Sequence, residues 1–262
     1  NTSIAYWVSF VVLFAALHVG DCTVKLARLH MAEIELTYPR DGIALVTMNR
    51  PDKLNAMTST MVEALHETFS AIGRSRDVRV AVLTGQGRGF CAGLDLGGYG
   101  EAPGFEWAGS VEKGFAVQKH IASLIPKMRS IPQPIIAAVN GAAAGGGFAL
   151  VLGSDIRLAS TAAKFNAAFI RIGLSACDIG TSWLLPRLIG AARAQELMLT
   201  GRIFLAEEAE RIGLVLETVQ PEQLLERAFS KAREIMLNSP LIADLIFKGE
   251  VGQIKEIMAK ST

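Results

Sequence analysis

The chain has 262 residues, half of them hydrophobic, and a formal net charge of +1 at pH 7. A chain of this length can bury a substantial core, either as one domain or as a domain with an appendage. The near-neutral charge argues against a nucleic-acid-binding protein, which normally carries a basic surface stripe.

The first predicted element is an apolar segment from Ile4 to Leu17 that is interrupted only by Ser9. It is short for a membrane span, which needs about 20 apolar residues. No Lys or Arg precedes it, as one would in a signal peptide. We therefore interpret residues 1–30 as an extension outside the fold and expect a cytoplasmic protein, with membrane attachment or export as the minority alternative.

Strands and helices alternate after this extension. Residues 33–37 alternate like a half-buried strand, and Asp41-Gly42 is typical of the hairpin turn that leads into the next one. Thr58 or Ser59 can cap a helix that runs to about residue 72, where apolar side chains recur at helical spacing. The continuous apolar run from Val80 to Leu83 predicts a strand that is buried on both faces.

The middle and the end of the chain continue this alternation. Residues 97–113 predict a loop, and a helix is expected from about Val117 to Met128, before two prolines. Further helices are expected at 182–189, 192–199, 206–212 and from Pro221 to about 237, with strands at 154–159 and 214–219. Alternating strands and helices indicate the α/β class.

The most informative segment is Gly145-Gly146-Gly147, which follows an apolar strand that ends at Asn140-Gly141. Glycines leave backbone N–H groups uncovered by side chains and let another group approach closely. The start of the helix that follows carries unpaired N–H donors and partial positive charge, so such a turn can bind an oxyanion. A tight strand-to-helix connection packed in a core is the alternative.

Three segments, in this order along the chain, carry a family resemblance. They are Asn49-Arg50-Pro51 with Leu54-Asn55-Ala56, then Phe90-Cys91-Ala92-Gly93-Leu94-Asp95-Leu96, then Ala137-Ala138-Val139-Asn140-Gly141 with the triple glycine. Together they resemble the crotonase superfamily, the enoyl-CoA hydratase/isomerase family. The resemblance runs from about Glu33 to about Gly213 and implies an α/β fold, a crotonase-type spiral of ββα turns with a helical C-terminal region that packs trimers. We expect the spiral core at 31–205 and a mainly helical region, short for the family, at 206–262.

The same resemblance implies a substrate and a way of binding it. The substrate would be an acyl-CoA thioester of the kind used in fatty acid metabolism, whose carbonyl accepts from the N–H groups of Leu94 and Gly146 in an oxyanion hole. The residues expected around the CoA moiety are Lys53, Leu54, Ala56, Ala92, Gly93, Asp95 and Leu96. Coenzyme A would enter only as part of the substrate, with no tightly bound cofactor and no metal. A homotrimer or a dimer of trimers is expected, and no nucleic-acid partner.

The sequence departs from the family at two catalytic positions. Hydratases of the family carry two glutamates that handle the water and the α-proton, and the corresponding residues here are Ala149 and Phe169. Neither side chain can transfer a proton. Asp178 resembles the Asp of dienoyl-CoA isomerases and also the nucleophilic Asp of 4-chlorobenzoyl-CoA dehalogenases. It equally suits a cap on the helix that begins near Thr181, and both roles stay open.

We therefore expect a lyase or isomerase of the enoyl-CoA hydratase/isomerase type, with isomerase-like or other Asp178-dependent chemistry favoured over standard hydration. The alternative is a catalytically degenerate acyl-CoA-binding or assembly protein. His120, on a predicted helix, is interpreted as an ordinary packing or surface histidine. Cys91 and Cys177 are interpreted as small buried hydrophobic residues, since 3 scattered cysteines make neither a disulfide framework nor a zinc site.

Overall fold

The structure is a computed structural model that describes residues 29–31, 33–100, 102–104, 109–177 and 179–238. The predicted apolar segment from Ile4 to Leu17, the candidate Asp178 and the tail after residue 238 lie outside the described residues. No helix in the described ranges is long and apolar enough to cross a membrane.

The strands form two sheets. Their bounds are Leu29–Met31 (β1), Ile34–Arg40 (β2), Ile43–Met48 (β3), Val80–Gly85 (β4), Gly89–Cys91 (β5), Ile135–Val139 (β6), Ala142–Ala144 (β7), Ile156–Ser160 (β8), Lys164–Asn166 (β9), Ile203–Leu205 (β10) and Glu217–Val219 (β11). The larger sheet has the order β1-β2-β3-β4-β6-β8-β11, and the smaller one the order β10-β9-β7-β5. From β3 to β11 the larger sheet is parallel, which the helical crossovers between its strands allow.

The α-helices are Ser59–Arg74 (α1), Ser110–Ala122 (α2), Leu124–Ser130 (α3), Gly146–Gly153 (α4), Thr181–Ile189 (α5), Ala191–Thr200 (α6), Ala206–Arg211 (α7) and Leu224–Met236 (α8). Short 3₁₀ helices occupy Pro51–Lys53, Ala168–Ile172 and Pro221–Gln223. The hydroxyl of Thr58 accepts from the N–H of Met61 at 3.0 Å and caps α1. The predicted cap at Thr58 is therefore confirmed. The α/β class and the turn at Asp41-Gly42 are confirmed by the order of strands and helices.

The core lies on both faces of the larger sheet. The main cluster of buried side chains fills the space between the two sheets and helices α1 and α4, and includes Phe69, Phe148 and Phe165. A smaller cluster lies between the other face and α8, where Val80 and Val82 meet side chains of that helix. All residues of β4 are buried, as the continuous apolar run predicted.

One predicted helix is wrong in its bounds. The segment expected as a loop up to residue 113 already forms α2 from Ser110, and the helix expected to run to Met128 breaks at Ser123. Pro126 has no N–H with which to bond the carbonyl four residues earlier. The Ser123 hydroxyl also donates to the His120 carbonyl at 2.6 Å, which competes with helical hydrogen bonding.

The observed bounds of other elements differ from the predicted bounds by a few residues. β1 begins at Leu29, two residues before the expected start of the core, and pairs antiparallel with β2. The strand expected at 214–219 is confined to Glu217–Val219, because the N–H of Leu214 turns back to the carbonyl of Ala209 at 2.8 Å.

Candidate active site

Asn55 joins the first motif to the second. It is fully buried, and it has a positive φ of 57°, a conformation that Asn tolerates better than most residues. Its side-chain amide donates to the carbonyls of Gln86 at 3.0 Å and Gly89 at 2.8 Å. Its side-chain oxygen accepts from the N–H of Arg50 at 2.8 Å. The segment around residue 55 is thereby attached to the loop that leads into β5.

Asn140 joins the third motif to the same loop. Its side-chain amide donates to the carbonyls of Gly87 at 2.8 Å and Gly89 at 3.2 Å. Gly141 follows directly, and a Cβ on it would lie only 2.0 Å from the carbonyl oxygen of Arg88. Glycine is therefore required at this crossing, where two backbones pass in direct contact.

The residues that follow β5 position the N–H of Leu94. Leu94 lies opposite Met57 in a short parallel bridge. The Met57 N–H donates to the Gly93 carbonyl at 2.7 Å, and the Asp95 N–H donates to the Met57 carbonyl at 3.0 Å. The groups bonded to Met57 thus belong to Gly93 and Asp95, on either side of Leu94. The N–H of Leu94 itself has no acceptor among the residues that the structure describes.

Gly146 begins helix α4. The preceding Gly145 has a positive φ of 49°, and its N–H donates to the Asn166 carbonyl at 3.0 Å. The N–H of Ala149 donates to the Gly145 carbonyl at 3.0 Å and closes the first helical turn. The N–H of Gly146 lies in that first turn, where no intrahelical acceptor exists, and it has no other acceptor in the described part of the chain.

The two N–H groups belong to segments in direct contact. A Cβ on Gly93 would lie 3.4 Å from the nitrogen of Gly146, and a Cβ on Gly147 would lie 2.0 Å from the carbonyl oxygen of Cys91. The start of α4 therefore packs directly on the backbone that carries Leu94. The Gly146 N–H at the helix N-terminus and the Leu94 N–H beside it can together stabilise negative charge that develops on a carbonyl oxygen.

A cavity of about 170 Å³ opens beside these two residues. It is lined by Ala92, Leu94, Leu96, Val117, Gln118, Ile121, Gly146, Ala168, Phe169, Ile172, Leu174 and Ile179. Gln118 is the only polar side chain in that lining, and no carboxylate is among these described residues. The cavity is therefore suited to an apolar group whose polar end reaches the two N–H groups.

The two positions that we expect to correspond to the hydratase glutamates are both apolar and buried. Phe169 contributes an aromatic wall to the cavity, with 6% of its surface exposed. Ala149 is fully buried in α4. Asp178 lies outside the described residues. Of its neighbours in the sequence, Cys177 is exposed and Ile179 lines the cavity.

Arg50 and Asp95 form an ion pair next to Leu94. Both terminal nitrogens of the guanidinium lie 3.1 Å from one oxygen of Asp95, and its Nε lies 3.0 Å from Glu33. The hydrogen bond from Arg50 is the largest cause that lowers the pKa of Asp95. The Asp95 side chain thus attaches the segment that follows β5 to Arg50.

The other residues expected around CoA surround the same region. Lys53 is exposed in its 3₁₀ turn, and Leu54, Ala56 and Ala92 are half-buried. Leu96 is 69% exposed at the mouth of the cavity. The sequence reasoning missed the wall contributed by α2, although the four-residue spacing of Val117 and Ile121 was the signal for one buried helix face.

The prediction for the two cysteines is confirmed for Cys91 and wrong for Cys177. Cys91 is buried in β5, and burial raises the pKa of its thiol to about 12. Cys177 is exposed, because it lies in the irregular segment between the 3₁₀ helix at 168–172 and α5.

Comparisons with known proteins agree with this fold and geometry. A family model described as enoyl-CoA hydratase/isomerase matches residues 39–256. The chain therefore belongs to the enoyl-CoA hydratase/isomerase family, the crotonase superfamily that the three motifs predicted.

Individual relatives cover most of the chain. A probable enoyl-CoA hydratase of Mycobacterium tuberculosis is 46% identical over 214 residues, 80% of this chain and 75% of that protein. The 1,2-epoxyphenylacetyl-CoA isomerase of Escherichia coli is 38% identical over 205 residues, 78% of this chain and 77% of that protein. The crystal structure of a probable enoyl-CoA hydratase/isomerase from Mycobacterium abscessus matches with a TM-score of 0.77 at 40% identity, over 83% of this chain and 80% of that one. These similarities confirm the crotonase fold.

Proposed function

We propose that this protein binds an acyl-CoA thioester with its carbonyl oxygen between the N–H groups of Leu94 and Gly146. Withdrawal of the α-proton moves negative charge onto that oxygen, and the two donors stabilise the resulting enolate. Because the donors belong to the backbone, the side chain of Leu94 is not needed for this step. Gly146 has to remain small so that the thioester can approach.

One observation carries this proposal. The N–H groups of two segments in contact have no acceptor among the described residues, and both segments line one apolar cavity. Gly146 is buried and Leu94 is half-buried, and most backbone N–H groups in such places have a protein partner. A bound carbonyl oxygen would supply the missing acceptor.

We further propose double-bond isomerisation or a related proton transfer in preference to standard hydration. Ala149 and Phe169 stand where hydratases have glutamates, and without these the acid–base contribution, typically 10²–10⁴-fold, has to come from elsewhere. Asp178 is the candidate, since the next residue, Ile179, lines the cavity. The E. coli relative with 38% identity is named as an isomerase, which supports this choice of reaction class.

The CoA moiety would lie along the segments that contain Lys53, Ala56 and Leu96, at the mouth of the cavity. Lys53 is exposed there and could meet a phosphate. A homotrimer or dimer of trimers in the cytoplasm completes the proposal, and sedimentation analysis of the purified chain tests the oligomer.

The proposal is tested by mass-spectrometric turnover of a panel of enoyl-, dienoyl- and aryl-CoA thioesters. Asp178→Asn is expected to abolish conversion while CoA affinity stays unchanged, and the product formed by the unsubstituted protein would name the reaction. Asp77→Asn, at an exposed position remote from the cavity, is the matched control. Full activity of Asp178→Asn would refute the catalytic role of that residue.

The replacement of both glutamates of the hydratases, by Ala149 and Phe169, favours one second candidate, a non-catalytic acyl-CoA-binding or assembly protein. Both candidates predict that the chain binds CoA thioesters, so binding alone does not separate them. Binding of a thioester without conversion of any member of the panel would favour the second candidate.

A further inference from the structure

A group of four polar side chains links three elements near the cavity. The Tyr99 hydroxyl lies 3.0 Å from Nδ1 of His120, and Nε2 of His66 lies 2.7 Å from the Ser123 hydroxyl. The two imidazole rings lie nearly parallel, with their centroids 6.3 Å apart. We call these four residues the histidine network.

The hydrogen bonds of the network fit one assignment of its protons. The Ser123 hydroxyl donates its only proton to the His120 carbonyl at 2.6 Å, so His66 has to donate its Nε2–H to Ser123. Tyr99 is 7% exposed, and the neutral His120 lets its hydroxyl donate to Nδ1. A proton added at that Nδ1 would leave the buried Tyr99 hydroxyl proton without this acceptor.

The network connects the elements that surround the cavity. Residues 92–100, which include Leu94, are here called the oxyanion loop. Tyr99 lies near the end of this loop, and the carbonyl of Tyr99 also accepts from the N–H of Ser59 at 2.8 Å. His120 belongs to α2, next to Ile121 in the cavity wall. Ser123 follows the end of α2, and His66 belongs to α1. The oxyanion loop, α2 and α1 are therefore joined by one chain of side-chain contacts.

Charged groups and solvent reach the network from one side. A cleft of about 530 Å³ between α1 and α2 is lined by Glu63, His66, Glu67, Lys119 and His120, with three apolar residues. Burial is the largest cause that lowers the pKa of both histidines. Lys127 of α3 and the facing His120 lower the pKa of His66 further, whereas Glu63 acts in the opposite direction on His120.

We propose that the histidine network positions the oxyanion loop and α2 against the cavity, and that protonation of its two stacked imidazoles weakens this positioning. Protonation of both rings would place like charges face to face and remove the acceptor of Tyr99. The loop and the helix wall would then separate from α1, and thioester binding would weaken as the pH falls. This consequence for binding rests on the proposed function, whereas the positioning itself is a property of the fold.

The test combines two variants with two measurements. Tyr99→Phe removes one hydroxyl and keeps the ring, and His66→Gln keeps an amide donor for Ser123 but cannot titrate. Tyr38→Phe, at a partly buried tyrosine of β2 remote from the network, is the matched control. Hydrogen–deuterium exchange of segments 92–100 and 110–122, corrected for intrinsic rates, and kcat/KM for a thioester are followed between about pH 5.5 and 8.

The unsubstituted protein is expected to exchange faster in both segments as the pH falls, with a parallel rise in KM. Tyr99→Phe should exchange faster at every pH and lower kcat/KM by about 3- to 10-fold, the range that one hydrogen bond gives. His66→Gln should make both acid transitions smaller in amplitude, since one of the two titrating rings, and with it the repulsion between like charges, is gone.

The proposal is overturned if Tyr99→Phe exchanges like Tyr38→Phe, or if His66→Gln shows the acid transition of the unsubstituted protein. Exchange is measured without substrate. A chain that converts no thioester would therefore refute the proposed reaction, while its exchange rates would still confirm or refute the role of the network.

Discussion

Asn55 and Asn140 donate their side-chain amides to the same backbone carbonyl, that of Gly89, at 2.8 and 3.2 Å. The shared acceptor lies at the start of β5, just before the segment that carries Leu94. One residue of the first motif and one of the third thus position the second. The three motifs, which are far apart in the sequence, therefore meet at one structural junction around the Gly89 carbonyl.

We expect Asn55→Ala to reduce the free energy of unfolding by about 1–3 kcal/mol, the cost of leaving buried polar groups unpaired. Asn55 is fully buried, and its removal takes the side-chain partner from the Gln86 carbonyl and the Arg50 N–H. The Gly89 carbonyl keeps only its longer bond from Asn140. Asn140→Ala should cost less, since Asn140 is half-buried and water can replace it. Urea denaturation of both variants measures the difference, and equal losses would contradict this account.

Asp95 gives a prediction for pH dependence. Its pKa in the folded protein is lowered, chiefly by the hydrogen bond from Arg50. A carboxyl of this kind adds stability above its unfolded pKa of about 3.9, and the contribution is lost as the pH falls through the lowered folded pKa. The stability difference between the unsubstituted protein and Asp95→Asn should therefore be constant near neutral pH and shrink in acid. Urea midpoints from neutral to acid pH test this, with the exposed Asp52→Asn as control.

The sequence predicted the parts of the fold that local chemistry determines. The continuous apolar run from Val80 to Leu83 suited a strand buried on both faces. Thr58 and Ser59 were the two candidate caps, because a helix N-terminus favours a side-chain acceptor. The triple glycine indicated a close backbone approach, which the contact between Gly147 and Cys91 now explains.

The parts that the sequence did not predict depend on tertiary contacts. The four strands of the smaller sheet have 3 residues each, too few for an alternating pattern to be visible. The junction formed by Asn55 and Asn140 joins residues far apart in the chain. The break at Ser123 coincides with a hydrogen bond from its hydroxyl to the His120 carbonyl, and the sequence did not reveal that bond.

Gly146 and Gly147 should respond differently to alanine. A Cβ on Gly146 would lie 2.5 Å from the terminal methyl of Met57, which can move, so Gly146→Ala should fold. The N–H donor remains in this variant, but the added methyl group would keep the thioester carbonyl away from it. Turnover should therefore fall by at least about 10-fold, toward the 10²–10³-fold lost when one oxyanion donor is removed. A Cβ on Gly147 would lie 2.0 Å from the backbone oxygen of Cys91, which cannot move alone. Gly147→Ala should therefore fail to fold or lose most of its stability, as thermal melting would show.

A double variant tests whether contact between the added methyl group and Met57 causes the loss of turnover in Gly146→Ala. The pair Met57→Ala with Gly146→Ala provides space for the added methyl group and should recover part of the turnover lost in Gly146→Ala. No recovery would show that the methyl group itself blocks the thioester.

The two described cysteines should differ in alkylation. Burial raises the pKa of Cys91 to about 12, so almost no thiolate is present near neutral pH, whereas Cys177 is exposed. Peptide mass spectrometry after treatment with N-ethylmaleimide should find Cys177 labelled and Cys91 unlabelled in the native protein, with both labelled in urea. Rapid native labelling of Cys91 would contradict its place in the core.

Phe169→Ala should change which acyl groups the cavity accepts. Removal of the ring enlarges a cavity of about 170 Å³, so thioesters with bulkier acyl groups should gain in kcat/KM relative to short ones. The free energy of unfolding should fall by about 3–5 kcal/mol, the usual cost of truncating a buried Phe. Ile172→Ala, at a residue of the same cavity that is 50% exposed, should cost much less stability and serves as the control. An unchanged ranking of acyl groups in Phe169→Ala would mean that the acyl group lies elsewhere, because a ring that forms the wall of the cavity cannot be removed without altering the space for its occupant.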